Sequence, residues 1–103
     1  MAKLQKNVEI TGGSPQLLSS ILLANGYPAN ASMMLTEKCI RNTGANSVYL
    51  GGSSVDASTG YEIAAGDSDT ERASGVGGDI IDATTEYLFV ASTQNISLRV
   101  RGL

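Results

Sequence analysis

The chain has 103 residues, a formal net charge of −3, 42% hydrophobic and 17% charged residues. That is one domain with a modest core, the kind of chain that gains by burying surface against copies of itself or another protein. Without histidine, and with the single cysteine Cys39, it cannot build a Ser-His or Cys-His pair, a His-liganded metal, a Cys-rich zinc site or an internal disulfide.

Charge is spread unevenly. Residues 53–90 carry eight acids (Asp56, Glu62, Asp67, Asp69, Glu71, Asp79, Asp82, Glu86) against Arg72 alone, whereas both ends are net basic. A solvated surface accounts for this, and so does a polar molecule with a less acidic face docked on a partner. The net negative charge argues against a nucleic-acid partner. No apolar run approaches the ~20 residues of a membrane span. Leu17 to Ala24, the most apolar stretch, is interrupted by Ser19 and Ser20 and lies far from Lys3 and Lys6, so no secretory signal is expected.

Residues 1–13 begin polar, contain the alternating Val8-Glu9-Ile10 and close on Gly12-Gly13, which predicts an N-terminal arm or edge strand. Ser14-Pro15 followed by Leu17, Leu18, Ile21 and Leu22 predicts a short helix. Ser14 would be its cap, Pro15 its first residue and Asn25-Gly26 its stop. Its plain role is a plug over one open end of a β core. Tyr27-Pro28 opens a turn-rich link through Ala31.

From Met33 the pattern is β. Met33 to Asn42 is expected to turn at Thr43-Gly44-Ala45-Asn46 and return as a hairpin through Ser47 to Gly51. A polar loop covers 53–61, then a short strand Tyr61-Glu62-Ile63 and a corner Ala64 to Ser68 in which Gly66 takes positive φ. Residues 67–79 read as a mobile loop, and Asp79 to Asp82 as an approach carrying two buried isoleucines. Glu86 to Ala91 is the strongest strand signal and is expected to pair, across Ser92–Asn95, with Ile96 to Arg101. In that last strand Ile96, Leu98 and Val100 face in, and Ser97, Arg99 and Arg101 face out. Short strands at roughly ten-residue spacing predict an all-β, mainly antiparallel fold: one β-sandwich or jelly-roll-like domain over 14–103 with one short N-terminal helix, preceded by an arm over 1–13.

Candidate chemistry is sparse. Asp67, Asp69 and Glu71, with Asp79 and Asp82 nearby, have a spacing that invites Ca²⁺. An EF-hand, however, needs Gly at its sixth place and Glu at its twelfth, and counting from Asp67 those are Arg72 and Gly78. Extended chain gives the same alternation, so no metal is expected. Paired carboxylates also serve glycoside hydrolysis, but four Tyr, one Phe and no Trp make a poor sugar cleft. Cys39 reads as a buried, inert thiol, with Lys38 directed to the opposite face. Asn30-Ala31-Ser32 and Asn95-Ile96-Ser97 match the glycosylation pattern by chance, and Gly75, Gly77 and Gly78 form no phosphate-binding loop. No catalytic residue, cofactor or enzymatic activity is expected.

Four segments, Leu18 to Tyr27, Ile40 to Gly44, Val48 to Ser53 and Ala64 to Ser68, resemble in order and spacing the small virion-associated proteins of tailed bacteriophages. Those are β-sandwich or jelly-roll subunits that decorate or cement the capsid. The likeness covers roughly residues 17–103. It implies a structural homo-oligomer, commonly a trimer, seated on the major capsid protein where its subunits meet, on a virion assembled in the host cytoplasm. It implies no enzyme, nucleic-acid or membrane partner. Similar sandwiches serve as tail, head–tail joining or fibre components and as receptor- or carbohydrate-binding modules, which are the alternatives. Charge asymmetry and terminal position select Lys3, Lys6, Val8, Ile10, Arg99 and Arg101 as the expected contact residues, because the planar Arg fork pairs well with carboxylates.

Overall fold

A computed structural model describes residues 3–27, 34–73 and 81–102. Nine strands and one helix follow in order: β1 (Lys3–Ile10), β2 (Gln16–Leu17), α1 (Leu18–Ala24), β3 (Met34–Arg41), β4 (Val48–Gly51), β5 (Tyr61–Ile63), β6 (Ser68–Arg72), β7 (Ile81–Asp82), β8 (Tyr87–Val90) and β9 (Gln94–Gly102). They form two antiparallel sheets. The five-stranded sheet runs β1-β9-β3-β6, with β7 also on β3. The four-stranded sheet runs β2-β8-β4-β5. One core lies between them, with Val8, Ile10, Leu35, Ile40, Ile96, Leu98 and Val100 from the first sheet meeting Val48, Ile63, Leu88 and Val90 from the second. The all-β, sandwich-like fold expected from the sequence is the one observed.

The segment read as an arm or edge strand is an edge strand. β1 pairs with β9 over its whole length, from Lys3↔Arg101 to Ile10↔Gln94. Val8 and Ile10 are each only 1% exposed, so this strand belongs to the core.

Two expected hairpins are not hairpins. β3 and β4 lie in different sheets, as do β8 and β9. The apolar alternation is right for each strand, but at each turn the chain crosses to the facing sheet. Buried Asn42 makes the first crossing possible. Its Nδ2 donates to Asn46 O (2.8 Å) and Ile63 O (2.9 Å), and its Oδ1 accepts from Gly44 N (3.1 Å) and Gln94 Nε2 (2.8 Å). Its backbone N–H donates to Asp67 O and its carbonyl accepts from Gly66 N. A buried polar corner is stable when satisfied in this way. Gly44 is needed there, because a Cβ would collide with the Gln94 amide. At the second crossing Gly12 lies against the Ser92–Thr93 backbone, where a Cβ would also collide, and its N–H donates to Thr93 Oγ1.

The helix begins at Leu18, later than the Ser14-Pro15 signal predicted, and lacks a side-chain cap. Gln16 and Leu17 are taken by the ladder with β8. The first helical N–H groups donate instead to carbonyls of the sheet side, Leu18 N to Glu86 O (2.8 Å) and Ser19 N to Ala83 O (2.9 Å). The stop is as predicted. Gly26 has φ +80°, and Tyr27 N donates to Leu22 O and Gly26 N to Leu23 O in the Schellman pattern. Leu18, Ile21 and Leu22 fill the core. Tyr27, 3% exposed, donates its hydroxyl to Leu98 O at 2.6 Å, fastening the helix exit to β9.

Residues 68–72, read as part of a loop, form edge strand β6 on β3. The strand Tyr61–Ile63 and the Gly66 corner (φ +86°) are as predicted. Ile81 is buried. Ile80, Asp79, Gly75, Gly77, Gly78 and the Pro28–Met33 link lie outside the described residues.

Candidate functional site

The outer face of the five-stranded sheet is organised as cross-strand rungs. Lys3, Arg101, Glu37 and Arg72 occupy one rung. Gln5, Arg99, Cys39 and Thr70 occupy the next, and Asn7, Ser97, Arg41 and Ser68 the third. All four arginines of the chain therefore stand on one face of one sheet, together with three carboxylates at outward positions among the described residues, Glu9, Glu37 and, at the β7 end, Asp82. β-sheet parity alone would not have done this. β3 carries a bulge between Leu35 and Glu37, which lets Leu35 and Lys38 both face inward while Glu37, Cys39 and Arg41 face outward.

Glu37 is the hub. Its Oε2 accepts from Arg72 Nε at 2.7 Å, and its Oε1 lies 3.5 Å from Arg99 Nε. The hydrogen bond from Arg72, with the charges of Arg72, Arg99 and Arg101, holds the Glu37 carboxyl below its ordinary value. Among the described residues, Arg41 and Arg101 make no ion pair.

Of the residues expected to make contacts, Arg99 and Arg101 do share this face, and Lys3 takes a register position on it. Lys6, Val8 and Ile10 do not. They occupy the inward parity of β1. Val8 and Ile10 are core residues. Lys6 donates to Asn25 O at 2.8 Å and sits 5.8 Å from the centre of the Tyr27 ring, so it straps β1 to the helix exit. Sequence reasoning missed Arg41, Arg72 and Glu37. Their shared parity with Arg99 was readable only from the register between β3, β6 and β9.

Cys39 and Lys38 exchange the places assigned to them. Cys39 is half-buried on the outer face, where Thr70 Oγ1 lies 3.2 Å from its sulfur. Lys38 is fully buried and projects between the sheets. Its Nζ meets Glu71 Oε1 of β6 at 3.1 Å and forms a close ion pair with Glu86 beside β8. This pair floors an open cleft of about 470 Å³ whose rim includes Tyr61, Asp69, Thr70 and Thr85. Asp69 and Glu71, whose spacing invites Ca²⁺, pair in the ladder with Ile40 and Lys38 respectively. Among the described residues no three acidic or thiol groups are placed to hold a metal ion.

No protein-family model matches the chain, and no similar curated protein or solved structure is found. No described helix is long and apolar enough to cross a membrane. The described residues form a β-sandwich with a cationic sheet face on an acidic chain.

Proposed function

We propose that the chain is a structural virion protein that decorates a bacteriophage capsid and cements it. It would bind across joints between major capsid subunits and act as a homo-oligomer, a trimer in the simplest arrangement. It performs no bond-making chemistry. The observation that carries this reading is the gathering of all four arginines on one sheet face of a net-acidic chain. Such a face suits a carboxylate-bearing protein surface, and arginine is favoured at interfaces for its planar, two-point pairing. The likeness of the four sequence segments to phage decoration subunits points the same way. Cementing adds buried area across shell joints. An interface of roughly 1,600 Å² ranges widely in strength, but one repeated around a shell yields only when several contacts break together. Counting copies per purified particle tests the assignment. Hundreds fit decoration, whereas tens or fewer fit a tail or head–tail ring.

A second reading, a receptor- or glycan-binding module, draws on Tyr61. It is 64% exposed on the lip of the Lys38 cleft beside Asp69 and Thr70. A glycan array decides it: a reproducible hit abolished by Tyr61→Ala would favour this module over the shell.

A further inference from the structure

Between the second and third rungs of the arginine face lies a pocket of about 290 Å³ lined by Gln5, Cys39, Arg41, Ser68, Ser97 and Arg99. No carboxylate lines it. Gln5 Nε2 donates to Ser97 Oγ at 2.7 Å, which occupies an acceptor position of that hydroxyl and leaves its hydrogen free to donate. Arg99 Nε is a buried donor with no hydrogen-bond partner among the described residues. It comes within 3.5 Å of Glu37 Oε1 without bonding it, and the other oxygen of Glu37 is engaged by Arg72. With Nε shut off beside Glu37, the exposed part of the Arg99 side chain is what an arriving acceptor meets.

We propose that this pocket is an oxyanion site that receives an Asp or Glu carboxylate presented by the partner protein, clamped between Arg41 and Arg99 with Ser97 and Ser68 completing its hydrogen bonds. Two guanidinium groups flanking hydroxyl donors match the two oxygens of a carboxylate, and a carboxylate brings the charge this face lacks. A protein carboxylate is favoured over a nucleic-acid phosphate because no aromatic side chain lines the pocket to stack a base, and the chain as a whole would repel a polyanion. The proposal rests on the reading of this face as the docking face and adds the ligand group and the residues that hold it.

The test is an NMR titration of the full chain with a capped tetraglutamate peptide, with inorganic phosphate and with a short oligothymidylate, all at equal ionic strength. The Arg41 and Arg99 Nε–H signals report on the site. The peptide is expected to shift both signals saturably. Arg41→Gln is expected to weaken that binding at least tenfold, and Arg101→Gln, outside the pocket, less than threefold. Arg41→Lys, which keeps the charge and loses the fork, is expected to fall between. A peptide that gives no saturable shift, equal losses in Arg41→Gln and Arg101→Gln, or tighter binding of phosphate or oligothymidylate than of the peptide would each overturn the proposal. Peptide binding by a chain that does not occupy shells would remove the virion reading and leave the pocket. Shell occupancy unchanged by Arg41→Gln would remove the pocket and leave the virion reading.

Discussion

Lys38, fully buried on β3, closes an ion pair with Glu86 across the gap between the two sheets, and Glu71 of β6 supports it from its own sheet. The two carboxylates reach water, with side chains 52% exposed for Glu71 and 21% for Glu86, whereas the ammonium does not. The asymmetry sets the cost of breaking the pair. Glu71→Gln/Glu86→Gln leaves a buried, uncompensated charge and is expected to cost about 3–5 kcal/mol. Lys38→Met leaves two carboxylates that can rehydrate and is expected to cost less than about 1.5 kcal/mol. Urea unfolding of the three proteins checks the order.

The Asn42 corner is the second point of high cost. Asn42→Ala removes the side-chain partner of the Ile63 carbonyl and of the Gly44 N–H, and leaves Asn46 O and Gln94 Nε2 only each other. A loss of about 3 kcal/mol is expected. Gly44→Ala drives a methyl group into the Gln94 amide and is expected to cost about 1–3 kcal/mol. Shifts in the urea midpoint at unchanged slope would show that both act on the folded state.

Alkaline stability depends on Tyr27. Burial pushes its phenol up to about 12, so the fold favours the neutral form that donates to Leu98 O. That contribution is complete below the unfolded value of about 10 and is lost as pH rises from there through about 12. Tyr27→Phe is expected to cost about 1 kcal/mol at neutral pH and to flatten the stability profile between pH 10 and 12, read by denaturant titration at each pH.

Acid acts through three carboxyls. Glu37 is held low by Arg72 and the neighbouring arginines, Asp56 by hydrogen bonds from Ser58 and Thr59, and Asp82 by hydrogen bonds from Thr84. Each contributes stability that is present above its unfolded value of about 4 and lost as pH falls through the lower folded value. Melting temperature is therefore expected to fall below pH 4, and less steeply in Glu37→Gln.

Strand composition and facing were legible in the sequence wherever a single strand decided them. Ile96, Leu98 and Val100 facing in against Arg99 and Arg101 facing out, the Gly66 corner and the Asn25-Gly26 helix stop all follow from local chemistry. Pairing was not legible. Whether the chain turns back or crosses over at Asn42–Asn46 depends on contacts with Ile63 and Gln94, which lie far away in sequence. The bulge before Glu37 was equally hidden, and it inverted the facing of Lys38 and Cys39 and placed Arg41 beside Arg99. Because β1 places Val8 and Ile10 in the core, deleting residues 1–10 would remove a structural strand.

The central claim is that the arginine face seats the protein on a shell, and the most direct measurement is occupancy of capsids stripped of this protein. Bound copies are counted for the natural chain and for Arg99→Glu/Arg101→Glu, at low and high salt. The account predicts saturating occupancy by the natural chain that falls as salt rises, and at least a tenfold loss for the double variant with its fold intact. Occupancy indifferent to both salt and the double change would contradict it.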